Sequence, residues 1–333
     1  MTQCGIPPGA SLVYNFTIDG WTGTTWWHSH FNTQLTDGIL GALVVHPRAN
    51  ATANSTIAAE DVQGEIVMHL SDLYHRTSPD LLRQYLSTTG MTGQGFVGAT
   101  QGNEPVPDAG TINGVGQWGN HTTHFSNYTL EPNSAYRLRL IHSGSFAGSV
   151  FSVDNHTLEV IEADGTLVEP FNVTSVRIEV AQRYSVILRT GDAGAFWVRH
   201  QVAQDQFTYD EPGFQGDQRA ILRYGVVDDV VPSDHAASLS AEAFDTSLLV
   251  PAQKGDWPEA TFSNTISISM QNSASNTVPI FAAAQELLSL TQTRSGAHSS
   301  TRRRGNPCTA PTRSSEATAT TRTLWSRRMS SSS

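Results

Sequence analysis

Trp26-Trp27-His28-Ser29-His30, continuing through Phe31-Asn32-Thr33-Gln34-Leu35-Thr36-Asp37-Gly38-Ile39-Leu40-Gly41, is the stretch on which the reading of this chain turns. Thr24 to His30 reads as a strand, and on a strand residues two apart face the same way. His28 and His30 are therefore expected to project their imidazoles in parallel, with Cα atoms about 6.5 Å apart at a rise of about 3.3 Å per residue. That spacing suits two ligands serving two adjacent metal ions, and neutral imidazole is a good ligand for copper, zinc, iron or nickel. The two tryptophans are expected to pack the core behind the strand. A lone His-x-His on a strand is equally at home as a structural pair, so the surrounding sequence has to decide.

Outward from this stretch the pattern is β throughout. Ser11 to Ile18 alternates apolar and polar residues and ends in the turn signal Asp19-Gly20. Gly41 to His46 reads as another strand, closed by Pro47, and Arg48 to Thr56 as a polar linker. Strand-like runs resume at Glu65–Leu70, Tyr136–Ile141, Val150–Val153, Leu158–Ile161, Ser175–Val180, Tyr184–Leu188, Phe196–Val202 and Ala220–Tyr224. Leu81 to Leu86 reads as a short helix, and Gly90 to Gly119 as loops rich in Gly, Pro and Asn. Short strands at this spacing, separated by turn residues, predict an all-β sandwich or barrel of antiparallel strands.

Charge divides the chain. The total is 20 basic and 30 acidic residues; from Glu286 onward there are eight arginines and two acids, leaving 12 basic and 28 acidic residues before it. An acidic body argues against nucleic acid as a partner. No apolar run approaches the roughly 18 residues of a membrane span. Residues 289–333 are rich in Ser, Thr and Arg without periodicity, and disorder is expected there. The reversal of charge reads either as a broken gene model or as a functional basic tail.

No charged-then-apolar leader follows Met1. Yet Asn-x-Ser/Thr sequons occur at Asn15, Asn50, Asn54, Asn120, Asn127, Asn155 and Asn172. The cluster predicts an extracellular, secreted glycoprotein carrying N-glycans, its leader not present in this chain. Cys4 and Cys308 do not make a disulfide framework.

The run WWHSHFNTQLTDGILG (Trp26–Gly41) resembles the second copper-ligand motif of multicopper oxidases. TQCGIPPGASLVYNFTIDG before it resembles the stretch that precedes that motif. INGVGQWGN (Ile112–Asn120), YRLRLIHSGSF (Tyr136–Phe146), FSVDNHTLEVIEADGTLVEP (Phe151–Pro170) and AQRYSVILRT (Ala181–Thr190) resemble the family's second domain in order and spacing. The resemblance covers roughly Thr2 to Tyr224 and is greatest to the fungal laccase and ferroxidase branch. It implies cupredoxin-like Greek-key β-sandwiches: residues 1–47 as the end of a first domain, 48–63 a linker, 64–231 a second domain, and 232–288 a linker with the start of a third. It implies copper as cofactor, with dioxygen and a small reducing substrate (phenols, related donors or ferrous iron) as partners. His28 and His30 match the two histidines that each bind one copper of the type 3 pair.

Other family features are not found. The first motif, His-Trp-His, would precede this chain. No His-Cys-His occurs, and Cys308 has no histidine beside it, so the type 1 blue site, a Cys thiolate with two His, is missing. The chain alone is therefore expected to be inactive. The competing reading is a non-catalytic secreted β-sandwich glycoprotein with a binding role. Cys4 matches a family cysteine that pairs with one in the third domain and is expected to be unpaired here, or it is a buried free thiol. Asp37 reads as an acid beside the metal ligands or as part of a plain Asp-Gly turn. His69, His75, His142, His156 and His200 lack ligand spacing and are expected to be structural or exposed. Glu162-Ala163-Asp164-Gly165 reads as fold-defining.

Overall fold

The computed structural model describes residues 5–47, 62–92, 98–99, 102–119, 124–225, 230–233, 244–253, 255, 268–271 and 280–283. The chain divides into two compact units, Met1–Phe16 with Arg294–Ser333, and Thr17–Thr293. In the first, only residues 5–16 are described, and they form no strand. The alternation of Ser11–Ile18 thus does not produce the expected element. A period-two pattern supplies a face to bury, but a strand also needs a backbone ladder, and none is formed over this segment among the described residues. Leu12, Val13, Tyr14 and Phe16 are exposed. The expected disorder of residues 289–333, and the two cysteines Cys4 and Cys308, fall outside the described residues.

The second unit is built from strands. In chain order they are β1 (Gly23–His28), β2 (Leu40–Val45), β3 (Gly64–Leu73), β4 (Ala109–Ile112), β5 (Asn127–Leu130), β6 (Ala135–His142), β7 (Ser149–Val153) and β8 (Leu158–Ala163). There follow β9 (Thr166–Val173), β10 (Ser175–Ile178), β11 (Arg183–Arg189), β12 (Gly194–Val202), β13 (Asp217–Tyr224), β14 (Ile268–Gln271) and β15 (Ile280–Ala283). The helix α1 (Ser78–Tyr85) lies between β3 and β4.

A six-stranded sheet in the order β4-β3-β6-β11-β8-β9 faces a five-stranded sheet in the order β10-β7-β12-β13-β5. β1 and β2 form a separate antiparallel pair, as do β14 and β15. The sandwich is not wholly antiparallel: β3 pairs with β6, and β13 with β5, in parallel. Parallel neighbours need a crossover, and here the chain visits the other sheet between them. The core between the sheets holds Met68, Leu138, Leu140, Phe151, Val186, Val198 and Leu222, all essentially without exposed surface.

Four strands were not expected: β4, β5, β9 and β15. β4 arises inside the segment read as loop, because small residues let it press closely on β12: a Cβ at Gly110 would stand 2.7 Å from Val202 and 2.9 Å from the His200 ring. β9 contains Pro170, which is tolerated because β9 is an edge strand. Its outer edge is partly covered by the segment Val250–Ala252, where Glu169 N–H donates to Val250 and Ala252 N–H donates to Leu167.

The two sheets are also tied by a buried polar chain. His200 Nδ1 lies 3.0 Å from the Thr111 carbonyl, Ser149 Oγ lies 2.7 Å from both His200 Nε2 and His142 Nε2, and Gly144 N–H lies 3.2 Å from His142 Nδ1. A carbonyl can only accept, so His200 carries its proton on Nδ1 and its Nε2 accepts from Ser149. The serine then accepts from His142 Nε2–H, and His142 Nδ1 accepts from Gly144. Every proton in the chain has one place, and both rings must be neutral to keep it. Burial pushes His142 down to about 4. Burial, then the neighbouring His142, takes His200 to about 3.

Both folded values lie below the ordinary value, so the unfolded chain takes up protons first as pH falls. The contribution is complete above about pH 6.5 and is lost progressively below it, at about 1.4 kcal/mol per unit of pKa difference. Unfolding by urea should therefore show stability falling by a few kcal/mol between pH 7.5 and pH 4.5. His200→Gln should flatten that dependence, and an unchanged slope in the variant would refute the assignment.

Candidate metal centre

The histidine pair sits where β1 ends. β1 and β2 pair with His28 opposite Leu40, Trp27 opposite Gly41 and Trp26 opposite Ala42. The alternation of the strand separates the two tryptophans. Trp26 lies on the histidine side, its ring stacked on His28 at 4.5 Å. Trp27 points the other way and is 53% exposed, so it does not pack a core as the sequence led one to expect. Its indole lies over Gly41, where a Cβ would stand 2.6 Å from the ring nitrogen, so β2 needs glycine there.

His30 follows just past the strand, which stops at His28, two residues earlier than expected. The ladder closes with Ser29 N–H donating to Ile39 at 2.9 Å. The His28 and His30 rings nevertheless lie side by side, centroids 4.9 Å apart and tilted by 31°. His28 Nδ1 is 2.9 Å from the Ser29 carbonyl, which places its proton on Nδ1 and leaves Nε2 with a free lone pair.

What holds β1 is a buried knot around Thr24, which has no exposed surface. Its N–H donates to Glu162 Oε1 at 3.0 Å, and its carbonyl accepts from Arg183 Nε at 3.1 Å. Its hydroxyl oxygen receives Arg139 Nη1 at 2.6 Å. Arg139 also forks onto Glu65 at 2.6 and 3.1 Å, and Arg137 pairs with Glu162. Burial works to raise Glu65, but the hydrogen bond and charge of Arg139, joined by Arg137 and His46, outweigh it and hold the carboxyl below its usual range. Glu162 comes from the Glu-Ala-Asp-Gly landmark of the sequence, and its contact with Thr24 gives that landmark a docking role.

Five other histidines singled out in the sequence have partners of their own. His69 Nδ1 is near Ser143 Oγ at 3.2 Å, and burial lowers its pKa. His75 pairs with Asp108 at 2.9 Å beneath Trp118. His156 bonds the Asp154 carbonyl and the Tyr224 hydroxyl. His142 and His200 belong to the buried chain between the sheets. Among the described residues no group of three or more His, Cys, Asp or Glu is placed to hold a metal ion. The pair brings two imidazoles together, a donor type that suits copper.

A second feature left no sequence signal. A cleft of about 410 Å³ opens beside the loop between β12 and β13, lined by Phe207, Tyr209, Asp210, Glu211 and Phe214 among others. The Phe207 and Phe214 rings meet edge to face at 5.0 Å. Burial, followed by the charge of Asp108 and opposed by Arg76, pushes Glu211 up to about 7.

Glu162→Ala leaves Arg137 without its buried partner and Thr24 N–H without an acceptor. Loss of one member of a buried pair costs about 3–5 kcal/mol, and Thr24→Val, which removes a single acceptor for Arg139, about 1.5–3 kcal/mol. Thermal unfolding should rank the two variants in that order below the parent chain; equal midpoints for all three would contradict the docking role.

Residues 64–226 and 1–50 each match a family profile described as multicopper oxidase. The chain is 36% identical over 217 residues to Laccase-2 of Cryptococcus neoformans var. grubii, a match covering 62% of this chain and 34% of that protein. It is 36% identical over 190 residues to the iron transport multicopper oxidase fetC of Epichloe festucae, covering 57% and 27%. Among solved structures, Fet3p, a multicopper oxidase that functions in iron import, superposes with a TM-score of 0.67 at 25% identity, covering 82% of this chain and 47% of that one. The laccase of Botrytis aclada gives 0.64 at 26%, covering 82% and 48%. The chain thus spans about a third of the length of these curated relatives and about half of the solved ones. With cupredoxin-like sandwiches, laccase and ferroxidase relatives, and the Trp26–Gly41 motif, the chain belongs to the multicopper oxidase family.

Proposed function

We propose that His28 and His30 are copper ligands, each serving one ion of a type 3 pair. The chain is then part of an oxidoreductase that oxidises phenols, related donors or ferrous iron and reduces dioxygen to water. The observation that carries this reading is the pair of adjacent imidazoles, 4.9 Å apart at the end of a docked strand. Such a separation is compatible with two ions about 3.5–4 Å apart. Copper, when bound, supplies the one-electron redox chemistry that side chains lack.

The protein's part is positional. The Ser29 carbonyl fixes the tautomer of His28 so that Nε2 is the donor. Trp26 stacked on His28 limits rotation of that ring. The Thr24 knot fixes the strand itself. A two-imidazole half-site holds copper loosely, and complete coordination needs further ligands. The reading divides the chain at residues 48–63 into the end of one cupredoxin domain and, over 64–231, a second. A type 1 site is not part of it, since no His-Cys-His occurs.

Secretion and N-glycosylation belong to the same proposal. Asn127, Asn155 and Asn172 are exposed, and Asn155 sits at φ 61 in the turn after β7. Among the described residues no helix is long and apolar enough to cross a membrane. Expression through a eukaryotic secretory pathway should give a product whose mass drops on deglycosylation. Asn155→Gln should remove one glycan, and a product of bare polypeptide mass would refute this part.

Equilibrium dialysis tests the metal assignment. The chain should take up Cu(II) weakly, without intense blue absorption and without oxygen uptake in the presence of a phenolic donor. His28→Ala/His30→Ala should lose most of the specific uptake. Undiminished uptake, or oxygen consumption that survives the double replacement, would overturn the type 3 assignment.

A further inference from the structure

The segment Ser29–Ile39, which carries His30, leaves β1 and returns to β2 through a series of turns. Within it, Gln34, Thr36 and Gly38 donate N–H groups to Phe31, Thr33 and Leu35. These bonds shape the segment but do not fix it against the sandwich. Two sets of contacts from distant parts of the chain do.

The first is at the start of α1. Asp37 Oδ1 accepts the Ser78 N–H at 3.0 Å, and Asp37 Oδ2 lies 2.8 Å from Ser78 Oγ. Ser78 Oγ is also 2.7 Å from Thr33 Oγ1 and 3.0 Å from the Thr33 carbonyl. One hydroxyl proton cannot serve all three acceptors, and the charged carboxylate is the strongest. The Thr33 hydroxyl is then free to donate into Ser78. The first N–H groups of a helix have no partner within it, and a carboxylate there also meets the favourable end of the helix dipole. Asp37 therefore does more than make a turn with Gly38.

The second contact is Thr36 Oγ1 to Ser145 Oγ at 2.9 Å. Ser145 belongs to the connection between β6 and β7, which wraps around the buried carboxylate of Asp72 on β3. Asp72 Oδ2 accepts N–H groups from Ser145 at 3.0 Å, Phe146 at 2.7 Å and Ala147 at 3.3 Å. Ser145 is thus a fixed post, and Thr36 is moored to it.

We propose that Asp37 with Ser78, and Thr36 with the Asp72-held Ser145, form a two-point clamp that positions His30 beside His28 for metal binding. This rests on the reading of the two histidines as copper ligands. Asp37, Ser78, Thr36 and Ser145 are positioning residues: none is a ligand, and each acts through the segment that carries one. Partners of this kind typically change metal affinity by about 10–100-fold. Two contacts that share the work place each one at the low end.

The test uses the full chain and Cu(II) alone, with affinity and the copper EPR spectrum as readouts. Asp37→Ala and Ser78→Ala should each weaken binding on the order of tenfold and broaden the spectrum, as two loosely oriented rings give a spread of geometries. The double variant should lose less than the two single losses combined, because both substitutions touch one contact, the Ser78 hydroxyl on Asp37. Ser78→Thr, which keeps the hydroxyl, should restore affinity and line shape. Asp72 is buried and its replacement endangers the fold, so Thr36→Val probes the second point instead, with a similar loss expected. Far-ultraviolet circular dichroism and the unfolding midpoint should stay close to those of the parent chain. If His28→Ala/His30→Ala abolishes uptake while the clamp variants bind with parental affinity and spectrum, the clamp is refuted and the ligand assignment stands. If the double histidine variant keeps parental uptake, both fall together.

Discussion

Thr24 is the point on which the histidine-bearing strand depends. It has no exposed surface, and its N–H, carbonyl and hydroxyl oxygen are each matched by a charged side chain of the six-stranded sheet. A buried backbone group without a partner is costly, and a buried charge without one more so. The arrangement answers both demands at once: Glu162 and Arg183 satisfy the strand, and Thr24 helps satisfy Arg139. A β1–β2 hairpin has little stability of its own in water. Anchored here, it becomes a rigid support whose far end presents two imidazoles.

The site follows from that anchoring by short steps. From Thr24 the strand runs four residues to His28, alternation puts Trp26 and His28 on one face, and stacking sets the ring. At His28 the ladder ends, and contacts from α1 and the β6–β7 connection replace backbone pairing. One histidine is thus held by sheet geometry and the other by side-chain hydrogen bonds. A histidine pair with this division is stiff on one side and adjustable on the other.

Much of the sandwich was legible because its strands carry their own signal. Tyr136–Ile141, Tyr184–Leu188 and Phe196–Val202 are rich in β-branched and aromatic residues, and the structure places strands at all three. β4 was hidden because Ala109-Gly110-Thr111-Ile112 is small rather than strongly apolar; its reason to be a strand is the close approach of β12. β9 was hidden by Pro170, which only its edge position excuses. Ser11–Ile18 shows the converse, a strand-like pattern that forms no strand. The histidine pair was legible as His-x-His within its motif. The partners of Thr24 and Asp37 were not, since Thr24 meets Glu162 and Asp37 meets Ser78 across 138 and 41 positions of sequence. Local patterning carries no record of such pairings.

The central claim is that the folded hairpin holds His28 and His30 side by side, with Nε2 of His28 free to bind, before any metal arrives. Long-range proton–nitrogen correlation spectra of the imidazoles at pH 8 test it most directly. The account predicts that His28 shows a single tautomer protonated at Nδ1, and that substoichiometric Cu(II) broadens His28 and His30 together ahead of the other histidines. A His28 protonated at Nε2 or averaged between tautomers, or copper broadening that begins at other histidines, would contradict it.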